Sequence, residues 1–311
     1  MKAIMKQFVQ SAVMTVVLPG MLFSSSEKLP QTDQLEAVVC QHTWIPVLKE
    51  DGRIVAMELE EYISRVVLGE MPASFDEEAL KSQAVAARTY TLQMVEEGSR
   101  HQGAVCTDYR CCQSYMDPEE YLHTRGTQEH LDKVFEAVAD TAGEVVCYDG
   151  ELICATYFAS AGGYTEDARE VWGQSYPYLI SVSSPESSVY DDKEVRFSFQ
   201  EFQDRLGTAL KGAPESWFGA VTYTVGGGVD SMRIGQTRYS GVEIRGIFGL
   251  RSTVFQVEVT EDSVVFRTDG YGHRVGLSQY GAEAMAVDGY SYDQILSHYY
   301  QGTTLETYRD D

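Results

Sequence analysis

Proline is scarce in this chain, 8 of 311 residues, and no stretch is low in complexity, so a Pro-rich linker or stalk is excluded. Basic residues are scarce as well: Lys+Arg is 24 against Asp+Glu 47, a formal charge of −23. A body this acidic repels phosphate, which removes nucleic acid and anionic lipid surfaces from the expected partners. A neutral polymer such as a polysaccharide is not excluded by charge. No internal repeat is visible, and after about residue 30 no apolar run reaches spanning length. Apolar residues still make up 43% of the chain, enough for a core, and 311 residues suit one large domain or two packed ones.

The one long apolar run lies at the start. Lys2 and Lys6 precede an uncharged stretch from Gln7 to Ser26 rich in Val, Leu, Met and Phe. A charged start followed by such a run is an export element, either a single membrane anchor or a signal peptide cut near Ser24–Ser26. The lysines keep the N-terminus inside, so everything after about residue 30 is expected outside the cytoplasm. Residues 31–54 read as a linker with a first strand around Ala37–Cys40, residues 55–305 as the main body, and 306–311 as a tail.

Within the body, Leu59, Tyr62, Ile63, Val66 and Val67 recur at helical spacing, predicting a helix over Leu59–Leu68 closed by Gly69. Glu70 then falls on a tight connection. Ser74 and Glu77 have capping-box spacing ahead of a helix from Asp76 to about Val95, whose alanines suit a close crossing. Another helix is expected over 128–140, and an Asp149-Gly150 turn between Glu144–Tyr148 and Glu151–Tyr157 predicts a hairpin. Phe199–Leu210 reads as a weak helix and Glu258–Arg267 as a strand. Ser278 opens a helix to about Val287, and a last helix covers Tyr292–Tyr300. The fold class is α+β, mixed helices and antiparallel strands, with residues 185–250 as a smaller second lobe.

Six cysteines are present, and three of them crowd one segment: His101-x4-Cys106-x4-Cys111-Cys112. Three thiolates and an imidazole make a closed tetrahedral set for zinc, whose role would be structural. Disulfide pairing in an exported protein is the alternative, although adjacent Cys111 and Cys112 are poorly placed to bond each other. Cys147 and Cys154 flank the hairpin turn on one face but diagonally, an awkward geometry for a disulfide.

Several segments, taken in order, resemble the stage II sporulation protein D family of exported cell-wall enzymes. They are Leu59-Glu-Glu-Tyr62, Val67-Leu-Gly-Glu-Met-Pro-Ala-Ser-Phe75 and Glu78-Ala-Leu-Lys-Ser-Gln-Ala-Val-Ala-Ala-Arg-Thr-Tyr90. Tyr157-Phe-Ala-Ser-Ala-Gly-Gly-Tyr-Thr165, Val171-Trp172, Pro177-Tyr-Leu179 and Leu250-Arg-Ser252 follow. Gly270-Tyr-Gly-His-Arg-Val-Gly-Leu-Ser-Gln-Tyr-Gly-Ala282 and His298-Tyr-Tyr-Gln-Gly-Thr303 complete the match. One departure stands out: Arg274 occupies the middle-glycine place of the family's glycine loop.

The resemblance implies lytic transglycosylase activity: the bond between muramic acid and glucosamine is cut without water, leaving a 1,6-anhydro end. It also implies a membrane anchor, a place in the mother-cell membrane facing the forespore, and a preference for strands already stripped of stem peptides. Expected partners are peptidoglycan glycan strands, a wall amidase of the stage II sporulation protein P type and a membrane scaffold protein. A zinc site with mixed His and Cys ligands is implied at the segment holding His101, Cys106, Cys111 and Cys112. A non-catalytic relative that enhances an amidase is the competing reading.

Glu70 is the position that matches the family's acid. Internal attack by the muramoyl C6 hydroxyl supplies the nucleophile, so one glutamate can serve as acid and then base where hydrolases need two carboxylates. Its pKa must be raised by an apolar wall, which Leu68, Met71, Pro72 and Phe75 can supply. Gln83 and Arg88 resemble groove positions able to hold sugar hydroxyls or a lactyl carboxylate, against a packing or ion-pair role of equal weight. Tyr157, Ser160 and Gly162 are expected to line the cleft, with a core strand as the alternative. His273, Ser278 and Gln279 form a polar cluster on a glycine-rich loop expected to bind glycan, with Ser278 doubling as a helix N-cap.

Overall fold

The computed structural model describes residues 43–98, 101–184, 186 and 188–309. The apolar N-terminal run, the strand expected at 37–40 and Cys40 lie outside the described residues. Among the described residues no helix is long and apolar enough to cross a membrane. Helices mix with small sheets of two or three strands, mostly antiparallel, so the architecture is α+β.

Two helices at the start of the body position everything else. The first, α1 (Leu59–Glu70), is capped by the Glu58 side chain, which accepts from Glu61 N–H. It runs two residues further than the Gly69 stop implied, and Glu70 is its last helical residue. Gly69 does not end the helix because its φ is not left-handed; its small size answers a different need, described below. The second helix, α2 (Glu77–Glu97), is capped by Asp76, which accepts from Glu78 N–H, rather than by Ser74. Gly98 ends it in a left-handed conformation.

The alanines of α2 are fully buried at positions 79, 84, 86 and 87. They let α1, the helices Gln128–Asp140, Gln279–Val287 and Tyr292–Tyr299, and the strand Glu144–Tyr148 crowd around it. The first hydrophobic core forms there and carries Tyr62, Ile63, Val66, Leu80, Val134, Leu277 and Ile295. The hairpin turns at Asp149 and Gly150, both with positive φ, and sets Cys147 opposite Leu152 as the turn chemistry requires. Its second arm is short, only Glu151–Leu152.

A second core takes residues from Phe197 to Phe266, a longer span than 185–250. Its aromatic heart stacks Phe202 on Phe248 with ring centroids 4.7 Å apart. The helix there is Phe199–Leu206, shorter than the sequence pattern and stopped by Gly207. The strand read over Glu258–Arg267 is instead a hairpin, Val254–Val259 paired with Ser263–Asp269. The turn at 260–262 lies in the polar run Thr260–Ser263, which interrupts the alternation and is where the chain reverses.

Candidate active site

A cavity of about 900 Å³ opens where the end of α1, the segment 112–114, the strand Tyr157–Phe158, the loop 271–273 and the start of the helix Gln279–Val287 meet. That size suits a ligand of a few rings. Glu70 lies on its wall, and it is the only carboxylate among the described residues that line it. In a chain with 47 acidic residues, a cavity with one is unusual.

Glu70 owes its place to Gly69. A Cβ at residue 69 would stand 2.8 Å from Tyr115 N and 2.9 Å from the Ser114 carbonyl carbon, so only glycine lets the 113–115 segment press against α1. That approach puts Ser114 N–H on Glu70 Oε1 at 2.6 Å. Burial pushes the Glu70 carboxyl above its ordinary value, while the Ser114 N–H and the Gln279 side chain pull the other way. The C-terminal end of α1, with its partial negative charge, opposes ionisation further. Leu68, Met71 and Pro72 complete an apolar surround on the same wall.

Tyr157, Gln113, Gln279 and His273 surround this acid with neutral groups. Tyr157 Oη donates to Gln113 Oε1 at 2.7 Å, and Gln113 Nε2 donates to Thr91 Oγ1 at 2.8 Å. Burial, with the Glu70 charge as a second cause, drives the Tyr157 hydroxyl well above the usual phenol range, so it stays protonated. Gln279 Nε2 donates to Gln83 Oε1 at 3.2 Å, which fixes the side chain that reaches Glu70. His273 packs against Phe158 and Trp172, with ring centroids 5.6 and 5.3 Å away. Burial, then the nearby Arg245 charge, lowers its pKa to about 4, so the ring is neutral at pH 7. Its Nδ1 accepts from Val275 N–H at 3.1 Å.

Of the residues singled out in the sequence, Glu70, Tyr157, His273 and Gln279 share the cavity wall. Gln83 stands behind Gln279, fully buried. Arg88 is a correction: it is not at the groove. Its guanidinium is fully buried, holds Glu60 through both Nε and Nη2, the latter at 2.6 Å, and caps the carbonyls of Glu144 and Val138. Position 88 of α2 faces α1, and a side chain so placed has no route to the cavity.

Ser160, Gly162 and Ser278 are corrected likewise, to supports of the wall. Ser160 pairs its backbone with Tyr271, and Gly162, with φ 65°, packs on Asp269. Ser278 caps its helix through Gly281 N–H and donates to Glu186. Glu186 also accepts from Ala161 N–H and Ser184, tying the two loops together. Sequence reasoning missed Gln113, Ser114, Tyr190, Arg245, Tyr271 and Tyr280, all on the cavity wall. Tyr271 and Tyr280 stand in the Gly270–Ala282 segment without a role assigned there, and Tyr190 lies far from both in the chain.

His101, Cys106, Cys111 and Cys112 do come together, with one donor atom from each lying within 4.8 Å of all the others. His101 Nε2 is 3.1 Å from Cys111 Sγ. Three soft sulfurs and one imidazole with this compactness fit a zinc ion in tetrahedral coordination. Cys112 also touches the cavity, and Gln113 and Ser114 follow it directly, so the cluster sits at the root of the segment that contacts Glu70 and Tyr157.

A sequence profile described as Stage II sporulation protein matches residues 49–148. The chain is 37% identical over 289 residues to Stage II sporulation protein D of Bacillus subtilis (strain 168), covering 89% of this chain and 82% of that protein. It is 36% identical over 274 residues to Stage II sporulation protein D of Bacillus amyloliquefaciens, covering 84% and 78% respectively. It is also 30% identical over 303 residues to the Amidase enhancer of Bacillus subtilis (strain 168), covering 78% of this chain but 40% of that longer protein.

Proposed function

Because the chain belongs to the stage II sporulation protein D family, we propose that it is a peptidoglycan lytic transglycosylase with Glu70 as its single acid and base. The observation that carries this reading is a cavity whose one carboxylate is held toward its protonated form. Retaining and inverting hydrolases need two carboxylates across the scissile bond. Internal attack needs one. Glu70 gives its proton to the glycosidic oxygen as that bond breaks. The muramoyl C6 hydroxyl bonds to the anomeric carbon, and its proton passes to the Glu70 carboxylate, which regenerates the acid. No water is consumed, and the product carries a 1,6-anhydro ring. Gln279 and Ser114 N–H hold the carboxyl during both transfers, and neutral His273 and Tyr157 offer hydrogen bonds without adding charge.

Replacing Glu70 by Gln keeps the shape and removes the acid. Stem-free glycan strands incubated with wild type are expected to yield anhydro ends by mass spectrometry, and Glu70→Gln to fall by at least about 10³-fold. Cleavage retained in that variant would refute the assignment. The likeness to an amidase enhancer favours a second reading, a wall-binding module that speeds a partner amidase. It prevails if wild type cuts nothing yet accelerates amidase turnover.

His101, Cys106, Cys111 and Cys112 would hold one zinc with no open position, so its chemistry is structural: it pins the segment that carries Gln113 and Ser114. Elemental analysis of purified protein should find about one zinc per chain, and Cys106→Ser should lose it and lower the melting temperature. Full occupancy in that variant would count against this ligand set. We assign the body to the outer face of the cell membrane, tethered by the apolar run at its N-terminus, during engulfment in sporulation. A wall amidase of the stage II sporulation protein P type and a membrane scaffold are the partners this placement implies.

A further inference from the structure

The cavity has a second charged feature that the proton transfers do not use. Arg245 lies on the helix Gly241–Phe248, which Ser240 and Glu243 open with a capping box. Ile244 and Phe248 anchor that helix in the second core, and Arg245 reaches the cavity wall from there. Arg245 is half-buried, its main electrostatic neighbour is Tyr271, and among the described residues it forms no ion pair with a carboxylate. Among the described residues it makes one hydrogen bond, a long one from Nε to the Leu250 carbonyl at 3.4 Å. The other arginine on the wall, Arg125, is exposed and follows a short helix.

This arrangement inverts the charge of the rest of the molecule. The chain carries −23, yet among the described residues its cavity wall has one carboxylate, which favours its neutral form, against two guanidiniums, Arg125 and Arg245, and two imidazoles, of which His273 is neutral. A half-buried guanidinium has five donors and few acceptors here, so a bound anion would relieve a standing cost. The planar fork matches a carboxylate with two parallel hydrogen bonds.

We propose that Arg245 is the specificity residue that reads the free lactyl carboxylate of a muramoyl unit. The inference rests on the glycan substrate of the preceding section. A lactyl group still joined to a stem peptide is an uncharged amide, whose single carbonyl accepts one hydrogen bond but offers the guanidinium neither a charge nor a second oxygen. Arg245 therefore makes seating beside Glu70 depend on prior removal of the peptide, and it orients the muramoyl ring whose C6 hydroxyl must attack.

The test is calorimetric binding to full-length protein carrying Glu70→Gln, which prevents turnover. The probes are stem-free muramoyl-containing tetrasaccharide, its lactyl methyl ester, and an N-acetylglucosamine tetramer. With Arg245 present, the free acid should bind at least about tenfold more tightly than either other probe, and the gap should shrink with added salt. Arg245→Gln should bring the three affinities within about twofold of one another, and Arg245→Lys should fall between. A preference that survives in folded Arg245→Gln overturns the proposal. If that variant does not fold, the ester comparison on the Arg245 protein decides it alone: equal affinities for acid and ester overturn it. Anhydro-end formation is scored separately on protein with Glu70 intact. No product together with a retained acid-over-ester preference removes the lyase reading and leaves this one standing.

Discussion

Glu70 illustrates how a residue can serve the site at the expense of the fold. Burial raises its folded pKa, so the folded state binds its proton over a pH window where the unfolded chain has released it. The sign is unfavourable to stability: as pH rises from the ordinary glutamate range through the raised value, folding loses free energy. Gln at this position keeps an acceptor for Ser114 N–H and carries no such penalty. Glu70→Gln is therefore expected to melt higher than wild type at pH 7–8, with the gap closing near pH 4, by calorimetry across pH. Equal melting temperatures at pH 8 would mean that the carboxyl is not held in a desolvated place. His273 works in the opposite direction, neutral when folded, and its contribution is present above the unfolded value near 6.5 and lost as pH falls toward about 4. Arg88 shows where residue type misleads. An arginine in an alanine-rich helix suits a groove or an ion pair equally, and only the Glu60 side chain facing it across α1 decides for the latter.

At the scale of elements, the decisive contact is the press of segment 113–115 on the end of α1. Gly69 permits it, and the cluster at 101–112 stands at the root of the segment. Gly69→Ala would place a methyl group within 3 Å of backbone, which cannot yield as a side chain end can. Such overpacking costs about 1–3 kcal/mol and moves the segment. The sharper readout is the pH–rate profile. Ser114 N–H stabilises the Glu70 carboxylate, so losing that bond raises its pKa further, and the basic limb of activity should shift to higher pH in Gly69→Ala. An unshifted limb would show that the contact is dispensable. Much at this scale was legible in the sequence: the periodicity of α1 and α2, the Asp-Gly turn and the gathering of His101, Cys106, Cys111 and Cys112 each follow from local chemistry. The polar wall was not. Gln113, Ser114, Arg245, Tyr190 and Tyr271 come from four separate segments, and no local pattern marks side chains whose importance arises only when α1, the 241–248 helix and the 271–273 loop converge.

The whole body holds two hydrophobic cores, and Arg274 clasps them. It takes the place of a loop glycine, and its φ of 67° shows why glycine would be at ease there. The side chain offsets that strain with an extensive set of bonds. It is fully buried, pairs with Glu166 Oε1 at 2.8 Å, and donates to the carbonyls of Ala161, Tyr164 and Gly226 at 2.6–2.7 Å. Ala161 and Tyr164 belong to the loop behind the cavity wall, whereas Gly226 lies in the turn joining two strands of the sheet around the second core. Removing Arg274 alone leaves Glu166 buried without its partner, and breaking such a pair costs about 3–5 kcal/mol. Arg274→Gly should thus lose nearly that much in urea unfolding despite the easier backbone. Adding Glu166→Gln should recover a large part of it, because the stranded charge is gone. A double-mutant cycle measures the coupling directly. If the two substitutions were simply additive, the clasp would be ordinary packing; if the second restores stability, the buried Arg274–Glu166 pair is what makes this join costly to break, beside the Thr224 and Val225 bonds that also tie the turn to Glu166 and Glu170.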